Sequence, residues 1–482
     1  MRAWLPLRGR IRRGRPAGRR PLVALLSSSA LLVTACSLGP RYHKPDIATA
    51  DHWVTMSEPQ SPEWPSADWW RGFNSTELDA FIAQAQSAND DLRAAIARVE
   101  EADAQRRVAL APLLPSLNAS ATATRARQPV PGGASYLTGS DFNPLLTASY
   151  ELDFWGKNRA GYVAAAATER ASRYDRTTVE LTVLAGVATT YFQALELRDR
   201  LGVAERNLTN AQEVLRGLTL EQRAGVSTAL DVAQQQTVVD TVNASIPPLK
   251  QQLRQSEDAL AILIGSTPEG VDLRRGTLDE LDQPAVRPGL PSALLTRRPD
   301  VASAEAQLIA ANANIGAARA AFLPSISLTA GGGFESPALA NLLTPANRVW
   351  SLAGSLTQPI FQGGALVGQY RLSEARYREL LADYHKAVIS ALANVEDALI
   401  AVQQTSDQVA RQQEATEQAR RAYRFAQMQM HAGTINVLTL LNTETSLFTA
   451  EDQLAQAKYA HLSALVSLYQ ALGGGWQERA PV

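Results

Sequence analysis

Among 482 residues there are one thiol, Cys36, and five imidazoles, His43, His52, His385, His431 and His461. A catalytic nucleophile or a metal centre needs such groups gathered at defined spacings. Here the histidines are scattered, and neither a His-Glu-x-x-His nor a Gly-x-Ser-x-Gly pattern occurs. A lone cysteine also excludes an intrachain disulfide. This argues against an enzyme and against a bound metal or cofactor. The chemistry left to Cys36 is that of an acyl acceptor, and its surroundings suit that role. Residues 1–35 hold eight arginines and no acid, and an apolar stretch runs from Leu22 to Val33. Such a leader reads as a secretory signal peptide.

The run Val33-Thr34-Ala35-Cys36 resembles the bacterial lipobox. The resemblance implies cleavage between Ala35 and Cys36, with diacylglycerol on the thiol and an N-acyl chain on the new amino terminus. Ser37, where an aspartate would signal retention, implies sorting to the outer membrane. A free buried cysteine is the alternative. Removing the leader leaves 46 − 8 basic against 47 acidic residues, a formal charge of −9. A chain of that charge carries no nucleic-acid footprint.

The elements that position this anchor are written twice. Ala224-Gly225 reaches Gly265 in 40 residues, and Ala432-Gly433 reaches Gly473 in the same 40. Leu114-Pro115-Ser116 recurs as Leu323-Pro324-Ser325, and Phe154-Trp155-Gly156 as Phe361-Gln362-Gly363. Repetition of both element lengths and punctuation implies two similar halves. The division that follows is a signal peptide (1–35), a Pro- and Trp-rich strap (36–75), a first repeat (76–265), a linker (266–299), a second repeat (300–473) and a tail (474–482).

Each repeat holds two segments of period two, about 116–126 and 143–154 in the first, about 325–334 and 350–361 in the second. Leu117, Ala119, Ala121 and Ala123 alternate with Asn118, Ser120, Thr122 and Thr124. Strands apolar on one face and polar on the other match a membrane barrel, although a soluble sheet shares the pattern. Four strands cannot close a barrel, so spanning strands require oligomerisation. The connections 127–141 and 335–349 read as loops, and Gly331-Gly332-Gly333 as a strand bend rather than a phosphate cradle.

After Gly156 and after Gly363 the chain runs about 70 residues without proline, enough for rods of roughly 100 Å. Shorter patterns before each strand pair and after each Ala-Gly turn suit helices stacked end to end beside each rod. Pro247-Pro248 predicts a kink or a restart in the first return helix. Arg297 and Arg298 read as a packed loop rather than an anion site.

The segment Leu290 to Asp300, its continuation Ala310-Ala311-Asn312-Ala313-Asn314-Ile315-Gly316, the Ala-Gly turns and the lipobox together resemble the TolC-like outer membrane factors of tripartite efflux pumps, in their NodT branch. The resemblance covers the mature chain. It implies a mainly α fold with a membrane β-barrel, namely a homotrimer whose twelve strands form one barrel above a twelve-helix tunnel, with an equatorial belt from the linker and termini. It also implies a periplasmic adaptor and an inner-membrane pump as partners, adaptor contact at the Gly225 and Gly433 turns, and a gate near the second turn. At that gate Leu438 supplies an apolar constriction and Asn442 stands where the family usually has an acid. Asp231, in the place of Thr439, supplies a charge in the first copy. An efflux duct, the exit of a protein secretion system and a lipid-anchored coiled-coil scaffold without a pore remain open at this point.

Overall fold

The computed structural model describes residues 39–47, 52–55, 64–129, 136–271, 273, 276–286 and 291–477. Ala35, Cys36 and the leader lie outside the described residues. In chain order the main elements are α1 (Thr76–Ala88), α2 (Asp90–Leu110), β1 (Ser116–Pro129), β2 (Tyr136–Leu152), α3 (Lys157–Arg223), α4 (Ala229–Leu263), α5 (Pro299–Ala320), β3 (Ser325–Phe334), β4 (Arg348–Thr357), α6 (Ala365–His431) and α7 (Val437–Ala471). The two rods, α3 and α6, have 67 residues each, and the return helices α4 and α7 have 35 each. Among the described residues no helix is long and apolar enough to cross a membrane.

Short helices abut long ones at two matching joints. Asn89 ends α1 and caps α2, its Oδ1 accepting the Leu92 amide at 3.0 Å, while its Nδ2 donates to the carbonyl of Leu263 at the end of α4, 2.8 Å away. In the second copy Arg298, at the N-cap of α5, donates through Nη1 to the carbonyl of Ala471 at the end of α7, 3.1 Å away. Terminal carbonyls of a helix have no partner within it, so each joint satisfies one from the neighbouring helix end. Both joints close with a glycine in the left-handed region, Gly265 (φ 66°) and Gly473 (φ 85°). A side chain there would collide with the carbonyl oxygens of Ala88 and Arg297 respectively.

Pro247 and Pro248 do not interrupt α4, which is continuous from Ala229 to Leu263 rather than restarting. Both prolines are exposed, as are Asn243 and Ala244 one turn before them. The carbonyls that lose their amide partners therefore face water.

The strands form one antiparallel sheet in the order β1-β2-β3-β4. Their ends differ from the expected ones. β1 runs to Pro129 rather than 126, and β2 starts at Tyr136 rather than 143 and stops at Leu152. The Gly- and Ser-containing stretch 136–141 extends the ladder because Thr124–Pro129 continue to pair with it. Pro144 sits in a gap of the β2–β3 ladder, between the Leu145↔Gly333 pair and the Phe142↔Ser336 bridge, where its missing amide leaves no ladder pair unmade. β4 starts at Arg348 and stops at Thr357, just before Pro359, which has no backbone amide to offer, while the Gln358 side chain donates from Nε2 to the Phe322 carbonyl. Gly333 lies in β3 against the Pro144 carbonyl, so that glycine serves a close strand approach.

The core sits at the waist. Trp69–Phe73 is a 3-10 helix inserted into it, with Trp69 stacked on Tyr469 (5.1 Å) and Phe73 edge-on to Phe192 (4.9 Å). This end of the strap is thus core rather than surface packing. Farther upstream, the Trp53 side chain is buried, the Val54 and Thr55 amides donate to Glu396, and Lys44 pairs with Glu305 at 2.6 Å. Arg198 fastens the linker by donating to the carbonyls of Leu273 and Gly276. Arg298 is bidentate on Asp300 and Arg297 lies over Trp64, both structural contacts.

The turn glycines Gly225 (φ 77°) and Gly433 (φ 68°) have open space where a Cβ would go, whereas Gly265 and Gly473 do not. Gly225→Ala and Gly433→Ala are therefore expected to cost about 1 kcal/mol each, the backbone penalty alone. Gly265→Ala and Gly473→Ala are expected to lower the thermal midpoint of the detergent-solubilised protein several times further. Equal losses at all four positions would refute the distinction.

Candidate channel wall and gate

One face of the sheet is polar. Ser116, Ser149, Ser327 and Ser355 stand on it, and two cross-strand hydroxyl pairs, Ser116–Ser149 (2.7 Å) and Ser327–Ser355 (2.6 Å), lace it together. The opposite face carries Leu117, Leu146, Leu328, Trp350, Leu352 and Leu356, all exposed on the single chain, with Trp350 at 82%. Exposed apolar side chains on this scale belong in lipid, and the hydroxyl face then borders water. β1 and β4 are the edges of the sheet, and an edge cannot remain open in hydrocarbon. β1 and β4 run in opposite directions, so β4 of one copy meets β1 of the next as an antiparallel pair, and three copies close a ring of twelve strands.

Below the sheet, α3 packs on α2, α4, α5 and α7, and α6 packs on α5 and α7. Polar ties cross between the halves. Arg200 of α3 binds Asp452 of α7 through Nε (2.6 Å) and Glu196 one turn away through Nη1 (3.0 Å), beside a cleft of about 640 Å³ that six glutamines line. Burial pushes the Glu196 carboxyl up, and Arg200 opposes that shift. Nearer the tip, the fully buried Gln235 of α4 donates from Nε2 to the Ala211 carbonyl (2.9 Å) and more weakly to Glu444 Oε2 of α7 (3.4 Å). Gln235 Oε1 and Glu444 Oε1 have no hydrogen-bond partner. Burial raises the Glu444 carboxyl above its ordinary range, with the Gln235 bond pulling the other way.

The sequence-selected gate residues lie at the same end. Leu438 is 52% exposed, and Asn442, one turn later, is exposed on the same face of α7, while Leu440, Leu441 and Leu447 are buried on the other. Asp231 sits in the first turn of α4, where its carboxylate accepts from the Thr228 amide (2.9 Å), the Thr228 hydroxyl (2.7 Å) and the Ser227 hydroxyl (3.2 Å). These bonds, those of Thr228 first, hold its pKa below the usual carboxylate range. The structure thus gives Asp231 a capping role. Gly225 and Gly433 are the left-handed residues of the two tip turns, each followed by a six-to-one closure, Val226 to Glu221 and Thr434 to Gln429. Gln235 and Glu444 escaped the sequence reading. Their only signal was a polar residue at a position that helical spacing assigns to the seam. Among the described residues no group of three His, Cys, Asp or Glu side chains could hold a metal ion.

A half-polar sheet that closes only as an oligomer, set on rods of roughly 100 Å, defines an outer-membrane channel with a periplasmic tunnel. The profile of the outer membrane efflux protein family matches residues 81–266 and 290–474, and the chain belongs to that family. It is 40% identical over 459 residues to the pyoverdine export outer membrane protein OpmQ of Pseudomonas aeruginosa, covering 94% of this chain and 96% of that one. It is 32% identical to the toluene efflux pump outer membrane protein TtgC of Pseudomonas putida, covering 94% and 96%. The solved structure of the outer-membrane channel OprN superposes with a TM-score of 0.86 at 28% identity, covering 92% of this chain and all of that one. The protein is an outer-membrane exit duct of an efflux system, a homotrimer that works with a periplasmic adaptor and an inner-membrane pump.

The buried Glu444 yields a pH dependence. A carboxyl whose folded-state pKa lies above its unfolded value binds protons more readily when folded, so stability falls as pH rises through that window and recovers as pH falls. Glu444→Gln removes the charge and offers an amide to the unpaired Gln235 Oε1. It is expected to raise the thermal midpoint at pH 7.5, by about 1 kcal/mol of stability, and by less at pH 5. A drop at pH 7.5 would show that the charge is compensated.

Proposed function

We propose that the trimer is a passive duct for small molecules, drugs and toxic compounds among them, anchored through lipid on Cys36 and constricted at its periplasmic tip by Leu438 and Asn442. The observation that carries the gate is the shared face of these two side chains. They are exposed one turn apart beside the tip turn while their neighbours are packed, and Leu230, the matching residue of the first copy, is 65% exposed in the same way. Equivalent leucines on α4 and α7 supply an apolar collar, and Asn442 a neutral polar one, when three copies converge. Asp231 contributes charge just outside the collar. The turns at Gly225 and Gly433 project farthest along each hairpin of helices, which suits them to meet the adaptor.

Support for the anchor comes from Gly39 and Pro40. Gly39 packs against Gly316 of α5 and the Pro40 carbonyl accepts from Asn312 Nδ2 (2.8 Å), near the point where the helices pass into strands. Gly39 is three residues from Cys36 in sequence, at most about 10 Å of extended chain, which suits a lipid anchor at that boundary. Pyoverdine in one relative's name and toluene in another's have little chemistry in common, which favours a wall that does not select and a pump that does. The duct reading gives the chain no catalytic step and no cofactor beyond its own lipid.

In planar bilayers Leu438→Ala and Asn442→Ala are each expected to raise single-channel conductance several-fold over the native trimer. Unchanged conductance in both variants moves the gate elsewhere. Intact-mass measurement is expected to find the mature chain starting at Cys36 with three acyl chains, and a native protein without that added mass would sink the anchor.

A further inference from the structure

The lipid-facing side of the sheet carries charge only toward its outer end, and all of it is positive. Cross-strand pairing places Leu117, Ala148, Ala330 and Leu352 on a single face, and the period of two adds Arg125, Arg127 and Arg348 to that face. Arg125 lies nine residues above the periplasmic start of β1 (125 − 116), and Arg348 lies nine residues above the periplasmic end of β4 (357 − 348). Nine residues rise about 30 Å along a strand, or about 23 Å at a tilt of ~40°, the top of an apolar band about 25 Å tall. Arg127 stands two residues higher, its guanidinium 4.4 Å over the Tyr136 ring. All three side chains are exposed, and among the described residues none forms an ion pair. No acidic residue of β1 to β4 shares their face, since Asp141 and Glu151 point to the lumen side.

Ring closure brings them together. When β4 of one protomer borders β1 of the next, Arg348 and the next protomer's Arg125 each lie nine residues from the periplasmic end of their strand, on either side of the seam. An unpaired guanidinium cluster at the headgroup level of the outer leaflet needs an anion, and bidentate phosphate is its best partner. We propose that each of the three seams holds a phosphorylated glycolipid of the outer leaflet, with Arg125, Arg127 and Arg348 on its phosphates and its acyl chains against the leucine face below. The lipid then stitches adjacent protomers where the barrel is otherwise joined by one strand ladder.

The test is native mass spectrometry of the full lipidated trimer titrated with bisphosphorylated lipid A, its monophosphorylated analogue and phosphatidylethanolamine. The native trimer is expected to take up to three bisphosphorylated molecules, more weakly the monophosphorylated form. The variant with Arg125→Gln, Arg127→Gln and Arg348→Gln is expected to lose at least tenfold in that affinity and none toward phosphatidylethanolamine. Replacement of the same three residues by lysine is expected to retain only part of it, because an ammonium keeps the charge but not the bidentate fork. Assembly is checked independently by a heat-stable trimer and by unchanged conductance in phospholipid bilayers. If the glutamine trimer fails to assemble, Arg348→Gln alone serves, with an expected loss of threefold or more. Equal affinity in native and variant trimers, indifference to phosphate number, or full displacement by an equal concentration of inorganic phosphate would each overturn the proposal.

Discussion

The architecture depends on the end-to-end joint between a helix that leads into the membrane and a helix that returns from the periplasm. A 67-residue rod offers one long apolar seam, and no single partner helix covers it. Two shorter helices do, but each new end exposes carbonyls or amides that water cannot reach at the waist. Asn89 and Arg298 resolve this in different chemical ways, one an amide and the other a guanidinium, each spanning the gap to the last turn of the helix below. Gly265 and Gly473 let the two backbones come close enough for those bonds. The joint is thus conserved between the copies as geometry, although its donor differs.

Around the joints the waist collects the aromatic core and the linker, while the ends of the molecule stay thin. The strands have no core of their own on the single chain, and the tips hold small leucine clusters with a buried glutamine and glutamate between them. Stability is concentrated in the middle, where α3, α7 and the Trp69–Phe73 turn meet. The two ends can therefore be specialised for other contacts, lipid above and partner proteins below. The carboxyl at 444 fits this economy poorly, since it is buried without full hydrogen bonding, and an opening of the tip would return it to water.

Much of this was legible in residue order. The proline-free rods, the 40-residue return segments and the period-two strands follow from local patterning, because helix and strand each impose a repeat that burial must obey. The strand ends were less legible. Tyr136 to Asp141 has loop composition and becomes strand because β1 continues to pair with it, which is a non-local contact. Pro247-Pro248 reads as a kink or a restart, and the helix does not restart there, because the affected carbonyls face solvent. The break that does occur, at Asn89, lies within the helical pattern that precedes the first strand pair.

By itself the sequence determined the element types, the duplication and the amphipathic faces, since each follows from spacing along the chain, while the gate candidates Leu438 and Asn442 came from the resemblance to the family. Only the tertiary structure decided which groups meet across that spacing. It turned Asp231 into a cap and put Gln235 against Glu444 between helices some 200 positions apart. It also set Arg125 and Arg348 on one face of the sheet, each nine residues from the periplasmic end of its strand. The physical reason is that burial and pairing are properties of neighbours in space, and a chain folded back on itself twice chooses those neighbours by register, which no local pattern encodes.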